Sequence, residues 1–246
     1  MRHRATLFLV CALPFVLSAC GDGDEQPAPA KTRLDILDPA VSHEGKTYAE
    51  WAADWVSYWT STAPPECVDP ITDSSGASCA LYQAADSPVF FLVGNFGGVS
   101  IRDECVVPAG KNLFFPLLST SGDNAGVPED MQLPPADLQN FVEGSYDVMV
   151  PESLYLTVDG QSIAGLERGG IRSAPYTLDL VPDANLYACS GVDGVEGEFA
   201  GYLSGYWVML APLAPGAHSI TFGGKTSASP QGQPLTVDVR YDLSVE

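Results

Sequence analysis

The sequence predicts a mainly β chain: an antiparallel β-sandwich carrying one N-terminal aromatic helix and a short second helix. Three observations point there. From about Pro88 onward, apolar residues recur with a period of two in short runs. Glycine and proline punctuate those runs, with 24 Gly and 20 Pro in 246 residues, as the turns of a sandwich require. A single strong helical signature precedes them, and hydrophobic residues reach 46%, enough to fill a core.

That signature runs from Tyr48 to Trp59. Thr47 followed by Glu50 is a capping-box pattern, in which each side chain satisfies the other residue's backbone N–H. Trp51, Trp55 and Trp59 fall at i, i+4 and i+8, one stripe down one face, with Tyr48, Ala52 and Val56 widening it. Strands follow. Pro88 to Gly94 is a buried run, and Cys105 to Leu118 reads as strand, tight turn at Pro108-Ala109-Gly110, strand. Ser153 to Gly160 ends in Asp159-Gly160, a hairpin turn signal. Tyr176–Val181, Tyr206–Leu213, Ala217–Phe222 and Leu235–Val245 complete the strands. Pro135 to Val142 is the short second helix, begun by proline. The link Ala214-Pro215-Gly216 echoes Pro108-Ala109-Gly110, the same turn solution used twice.

Upstream, Arg2 and Arg4 precede an apolar run from Ala5 to Leu17, the layout of a secretory leader. The run is shorter than the ~20 residues a membrane helix needs. Leu17-Ser18-Ala19-Cys20 resembles the bacterial lipobox, which implies cleavage before Cys20 and lipid, palmitate included, on its thiol. Gly21 after the cysteine implies sorting to the outer membrane of a Gram-negative cell. Residues 20–33, poor in apolar groups and rich in Pro, Gly and acid, read as a disordered tether. The expected organisation is a leader at 1–19, the tether at 20–33 and one domain at 34–246.

Without the leader's two arginines, 9 Lys and Arg face 31 Asp and Glu, a balance of −22. Such a surface repels phosphate backbones and excludes nucleic acid as a partner. It leaves neutral glycans, envelope proteins and the membrane, reached through the lipid. Four cysteines remain in the folded region, and an exported chain pairs them; four allow three connectivities. Cys79 and Cys105 flank one hydrophobic strand pair and are expected to bridge, which leaves Cys67 with Cys189.

Four stretches, Tyr48–Trp59, Pro88–Gly98, Cys105–Pro116 and Gly205–Gly224, together resemble a family of exported bacterial and archaeal proteins. Its recurring pieces are the aromatic helix, a PVFFLxGxFGG strand, CxVPAGKxxFFP and GYWVxLxPLxPGxHxIxFGG. The resemblance covers about half of the mature chain, implies a single domain, and carries no mechanism.

Candidate sites follow from residue chemistry. The indoles of Trp51, Trp55 and Trp59 suit either a sugar-stacking platform or a buried helix face, and the spacing with Val56 and Ala52 favours burial. Glu50 and Asp54, four apart, have the reach of a glycosidase acid pair but lie on a solvated helix face. His218 follows a Pro-Gly turn with no nucleophile motif nearby. Arg102 and Lys111 are expected to pair with carboxylates. No cofactor is required; calcium is the one metal the loops suit, through Asp69 and Asp73 or through Asp123, Asn124 and Glu129, and neither set has EF-hand spacing.

The reading is an exported, membrane-tethered lipoprotein of the cell envelope, a non-catalytic binding or structural domain. The alternative is an exported carboxylate-dependent hydrolase acting on glycans, which needs two carboxyls converging in a cleft with one pKa raised. A third possibility is an assembly factor whose exposed strand edge pairs with a partner.

Overall fold

The computed structural model describes residues 34, 36–60, 67–228 and 233–246; Cys20, the leader and the tether lie outside the described residues. Among these, nine strands make two sheets: β1 (Val89–Phe91), β2 (Gly98–Val107), β3 (Asn112–Gly122), β4 (Met149–Val158), β5 (Gln161–Ser162), β6 (Gly170–Leu180), β7 (Gly197–Leu210), β8 (Gly216–Thr226) and β9 (Thr236–Val245). One sheet has the order β1-β3-β7-β6 and the other β2-β9-β8-β4-β5. Together they form a β-sandwich. Helices α1 (Tyr48–Thr60), α2 (Pro135–Asp147) and α3 (Leu186–Cys189) complete it.

Most neighbouring strands are antiparallel, but β1 runs parallel to β3 and β2 parallel to β9. The reason is that the chain changes sheets rather than folding back. Pro108-Ala109-Gly110, expected to close a hairpin, instead turns a corner from β2 in the second sheet to β3 in the first. Ala214-Pro215-Gly216 likewise carries the chain from β7 to β8 across the sandwich. Period-two alternation fixes which face a side chain takes, not which sheet the next strand joins. Asp159-Gly160 does close a hairpin: both residues have positive φ, and Val158 pairs with Gln161.

The first sheet is buried on both faces. Leu113, Phe115, Val208 and Leu210 point inward to meet Leu156, Ile220, Phe222, Val239 and Tyr241 of the second sheet. Phe114, Leu203, Trp207 and Met209 point outward, beneath α1. This explains why the middle of β3 reads as a continuous apolar run. The β9 strand, with solvent on one face, alternates strictly instead.

The capping box of α1 is made as its residues require. Glu50 Oε2 accepts the Thr47 N–H at 2.7 Å, and Thr47 Oγ1 accepts the Glu50 N–H at 3.3 Å. Trp51 and Trp55 are 4% and 6% exposed. The Trp55 ring meets Trp207 edge-on at 5.3 Å, and Trp207 stacks on Phe114 at 5.4 Å. Each buried indole of α1 donates to a carbonyl, Trp51 to His43 at 2.9 Å and Trp55 to Leu92 at 2.8 Å. Trp59, the third of the stripe, is only half-buried, because the helix ends beside it.

Arg102 is 1% exposed. Among the described residues its guanidinium takes no carboxylate, contrary to expectation. It donates to the carbonyls of Asp73 (2.9 Å), Ile71 (2.8 Å), Gly94 (2.9 Å) and Val93 (3.4 Å), and its cation lies over the Tyr241 ring at 5.3 Å. Lys111 similarly bonds the carbonyls of Ala85 and Ser87 rather than an acid. Two disulfides hold the loops. Cys79 bonds Cys105 with Cα atoms 5.6 Å apart, and Cys67 bonds Cys189 with Cα atoms 5.3 Å apart.

Two stability predictions follow from this packing. Trp55→Ala should lower stability by ~3–5 kcal/mol, since it opens a cavity and orphans the Leu92 carbonyl. Trp59→Ala should cost clearly less, so urea midpoints of the two variants must separate. Arg102→Met preserves bulk but removes the side-chain donors to the carbonyls of Asp73, Ile71 and Gly94, at about 1–3 kcal/mol for each one left dry, while the Val93 carbonyl keeps the Tyr241 hydroxyl. An Arg102→Met midpoint equal to that of the parent would contradict the assigned role.

Candidate functional site

Among the described residues, the β1 side of the first sheet is only partly covered. β1 pairs with β3 only over Asn112–Phe114, after which residues 92–94 depart for the second sheet. β3 continues to Gly122 with β7 on one side and, among the described residues, no strand on the other. A bulge at Leu117 interrupts the β3–β7 ladder: Pro116 pairs with Trp207, and Leu118 with Tyr206. Opposite it, Gly205 has φ 151°, and a Cβ there would lie 2.3 Å from the Leu118 oxygen, so only glycine allows this approach.

A cavity flanks the open edge on each face of the sheet. On the α1 side, about 320 Å³ is lined by Trp55, Trp59, Ile71, Phe96, Pro116, Ser119, Thr120 and Ser121. On the inner side, about 160 Å³ is lined by Leu117, Leu118, Met149, Leu235 and Val237. Gly94, Asn95, Phe96, Pro116 and Ser119 border both.

Phe96 is 68% exposed, yet its backbone is held firmly. Asn95 Oδ1 accepts the Gly97 N–H at 2.9 Å, and its amide donates to Gly98, Ser100 and Asp238 at 2.9–3.3 Å. Gly97 then takes φ 113°, where a Cβ would meet Leu235 Cδ1 at 2.4 Å. Phe96 is a site residue that hydrophobic periodicity does not register. The signal was there: an aromatic residue set among glycines, in Gly94-Asn95-Phe96-Gly97-Gly98, has no strand or helix face to bury it.

The residues singled out from the sequence take other places. Trp51 and Trp55 are turned inward, and of the stripe only Trp55 and Trp59 reach the cavity. Glu50 is committed to the helix cap, and two Thr47 groups, first its N–H and then its hydroxyl, hold the carboxyl below the usual range. Asp54 pairs with Lys46. Burial opposes the charge on Asp73, but the N–H groups of Ser78, Ser75 and Gly76 and the Ser75 hydroxyl outweigh it and lower its pKa. Asp69 caps Ile71 at 2.9 Å, and Asp123 accepts from Ala125 N–H and the Tyr176 hydroxyl. Asn124 exchanges two hydrogen bonds with Leu133. Among the described residues, no group of three or more His, Cys, Asp or Glu side chains is placed to hold a metal ion.

A second, shallower groove of about 570 Å³ lies where β8 begins, with His218 and Asp159 on its wall. His218 Nδ1 lies 2.8 Å from Asp159 Oδ2, and Nε2 lies 2.7 Å from the Ala214 carbonyl. Both partners are acceptors, an arrangement that suits an imidazolium donating from both ring nitrogens. Burial works against that charge, but the Asp159 carboxylate and the Ala214 carbonyl outweigh it and raise the His218 pKa above 6.5. The pair ties the Asp159-Gly160 hairpin to β8, and Asp159 also accepts the Ser219 N–H at 2.9 Å.

This pair has a pH signature. A histidine whose pKa rises on folding stabilises the fold fully below the unfolded value and loses that contribution as pH climbs through the folded value. Stability should therefore fall as pH climbs above about 6.5 and through the raised value, and His218→Gln should flatten that slope. Denaturant midpoints of parent and variant across the range test it; parallel profiles would exclude the imidazolium.

No protein-family model, no curated protein and no solved structure matches this chain.

Proposed function

We propose that the protein is an exported lipoprotein of the cell envelope, held by lipid on Cys20, whose domain binds or scaffolds rather than catalyses. Its place in this reading is the outer membrane of a Gram-negative bacterium, and its kin are the exported proteins that share the aromatic helix and the CxVPAGKxxFFP stretch. The observation that carries the export reading is the pair of disulfides, since such bonds persist in oxidising compartments. The leader and Leu17-Ser18-Ala19-Cys20 supply the address, and residues 20–33 give the domain room to stand off the bilayer.

The binding reading is supported by what the carboxylates do. Glu50, Asp73 and Asp147 are all displaced toward the charged form, by N–H groups, a hydroxyl or Arg172. A hydrolytic acid needs the opposite displacement. The −22 balance directs the domain toward neutral or basic partners, a glycan or an envelope protein, and away from nucleic acid.

The anchor is tested by Cys20→Ala. The variant should leave the membrane fraction and lose incorporation of radiolabelled palmitate, while its disulfides still form. Membrane retention without label would end the lipoprotein reading. Release of reducing sugar from envelope glycan by the purified chain would end the non-catalytic one.

A further inference from the structure

The open half of β3 specifies its occupant more closely than a cavity alone would. Asn112 donates its N–H to Pro88 (2.9 Å), and Phe114 accepts from Leu92 N–H (3.1 Å), so these residues turn their peptide groups toward β1. Alternation places Pro116 on the same side, where β1 has ended and its missing N–H costs nothing. The bulge at Leu117 shifts the alternation by one, so Ser119 and Ser121 turn their peptide groups to the free edge. An edge of unpaired N–H and C=O groups is complementary to one kind of molecule, an extended polypeptide.

Strand edges are normally guarded, and parts of the other edges in this fold carry guards, although the first half of β2 also turns Val99 and Ile101 to solvent. β6 carries Arg172, Pro175 and a bulge. β5 has two residues. β2 presents Asp103 and Glu104, whose N–H groups are already taken by the Ser75 carbonyl at 2.9 and 3.1 Å. From Leu118 to Gly122 β3 offers only small, uncharged side chains beyond its leucine.

We propose that this edge captures a segment of a partner protein as an added strand. An aromatic side chain enters the 320 Å³ cavity between Trp59 and Phe96, and the next residue sends an aliphatic side chain into the 160 Å³ cavity beside Leu118. Successive residues of a strand point to opposite faces, and the two cavities lie on opposite faces of the edge they would share. The segment is neutral or basic, because the acidic domain repels acidic chains, a second copy of itself included. The proposal rests on the binding-domain reading and names its partner.

The test uses the full chain in detergent and three short synthetic peptides. One has an adjacent phenylalanine and valine within threonines. The second spaces the two apart by one residue, so that both fall on one face. The third is the first with N-methylated backbone amides. Amide exchange at Ser119 and Ser121 should be fast in the free chain and slow when the first peptide binds saturably. The second and third peptides, and the first against Ser119→Pro, should bind at least about tenfold more weakly. Should Ser119→Pro fail to fold, the N-methylated peptide on the parent chain decides alone.

Protection of both amides in the free chain would overturn the proposal, and loss of that protection on dilution would name a second copy as the occupant. Equal binding of the N-methylated peptide would overturn it too, by reducing the site to an apolar hole. A neutral oligosaccharide that perturbs Trp59 without slowing either amide would replace the peptide with a glycan. Each outcome removes the strand-capture site while leaving the binding-domain reading, which falls on the separate glycan-hydrolysis readout.

Discussion

The architecture depends on how the chain crosses from one sheet to the other at Leu92, Val93 and Gly94. Such a crossing carries backbone N–H and C=O groups through apolar surroundings, where an unpaired group is costly. Side chains from three elements supply the partners. Trp55 of α1 donates to Leu92, and Tyr241 of β9 exchanges hydrogen bonds with both polar groups of Val93 at 3.1 and 3.2 Å. Arg102 of β2 closes on Val93 and Gly94. One short segment thereby fixes α1, both sheets and the loop around Ile71 relative to each other. It also ends β1 after three residues and so leaves the rest of β3, among the described residues, with a strand on the β7 side only.

The buried guanidinium is unusual in having carbonyls rather than a carboxylate as partners. A charge taken from water needs several kcal/mol of compensation. Four carbonyl dipoles and the face of Tyr241 provide it here. The arrangement suits a chain rich in acids yet poor in places to bury them. Each carboxylate can stay near the surface capping a turn, as Asp69, Asp73 and Asp123 do. The acidity is therefore mostly a property of turns and solvent-facing strands.

Elements whose signal is local could be read from the sequence. The capping box and tryptophan stripe gave α1 to within a residue, and strict alternation gave β9. The first half of β2, Gly98 to Glu104, was missed because it is an edge strand with Val99 and Ile101 facing solvent, so its pattern alternates the wrong way. The first part of β7 was missed because Gly201 and Gly205 dilute it, and those glycines answer to Gly122 and Leu118 across the ladder. The candidate site was legible only in part. Trp55 and Trp59 were in view, whereas Phe96, Ile71 and Ser119 come together through sheet changes that no local period records.

The wall of the larger cavity shows why a protein with a well-filled core still carries two disulfides. The segment from Cys67 to Cys79 has no strand or helix, and Ile71 is its main buried anchor apart from the cystine itself. Apolar burial of one isoleucine contributes roughly 1.5–3 kcal/mol, far less than ordering a dozen or so residues costs at about 1–2 kcal/mol each. The difference is met at both ends and in the middle. Cys67 is bonded to Cys189 at the end of α3, and Cys79 to Cys105 on β2. Between them Arg102 takes the carbonyls of Ile71 and Asp73, while Asp73 caps the turn at Ser75 and Gly76. A loop held this way loses little further entropy when its wall is used. That matters because ordering a binding surface on contact subtracts directly from affinity. The cross-links thus do for this loop what hydrogen-bond ladders do for the sheets, and they do it beside the half of β3 that, among the described residues, no strand pairs on its outer side.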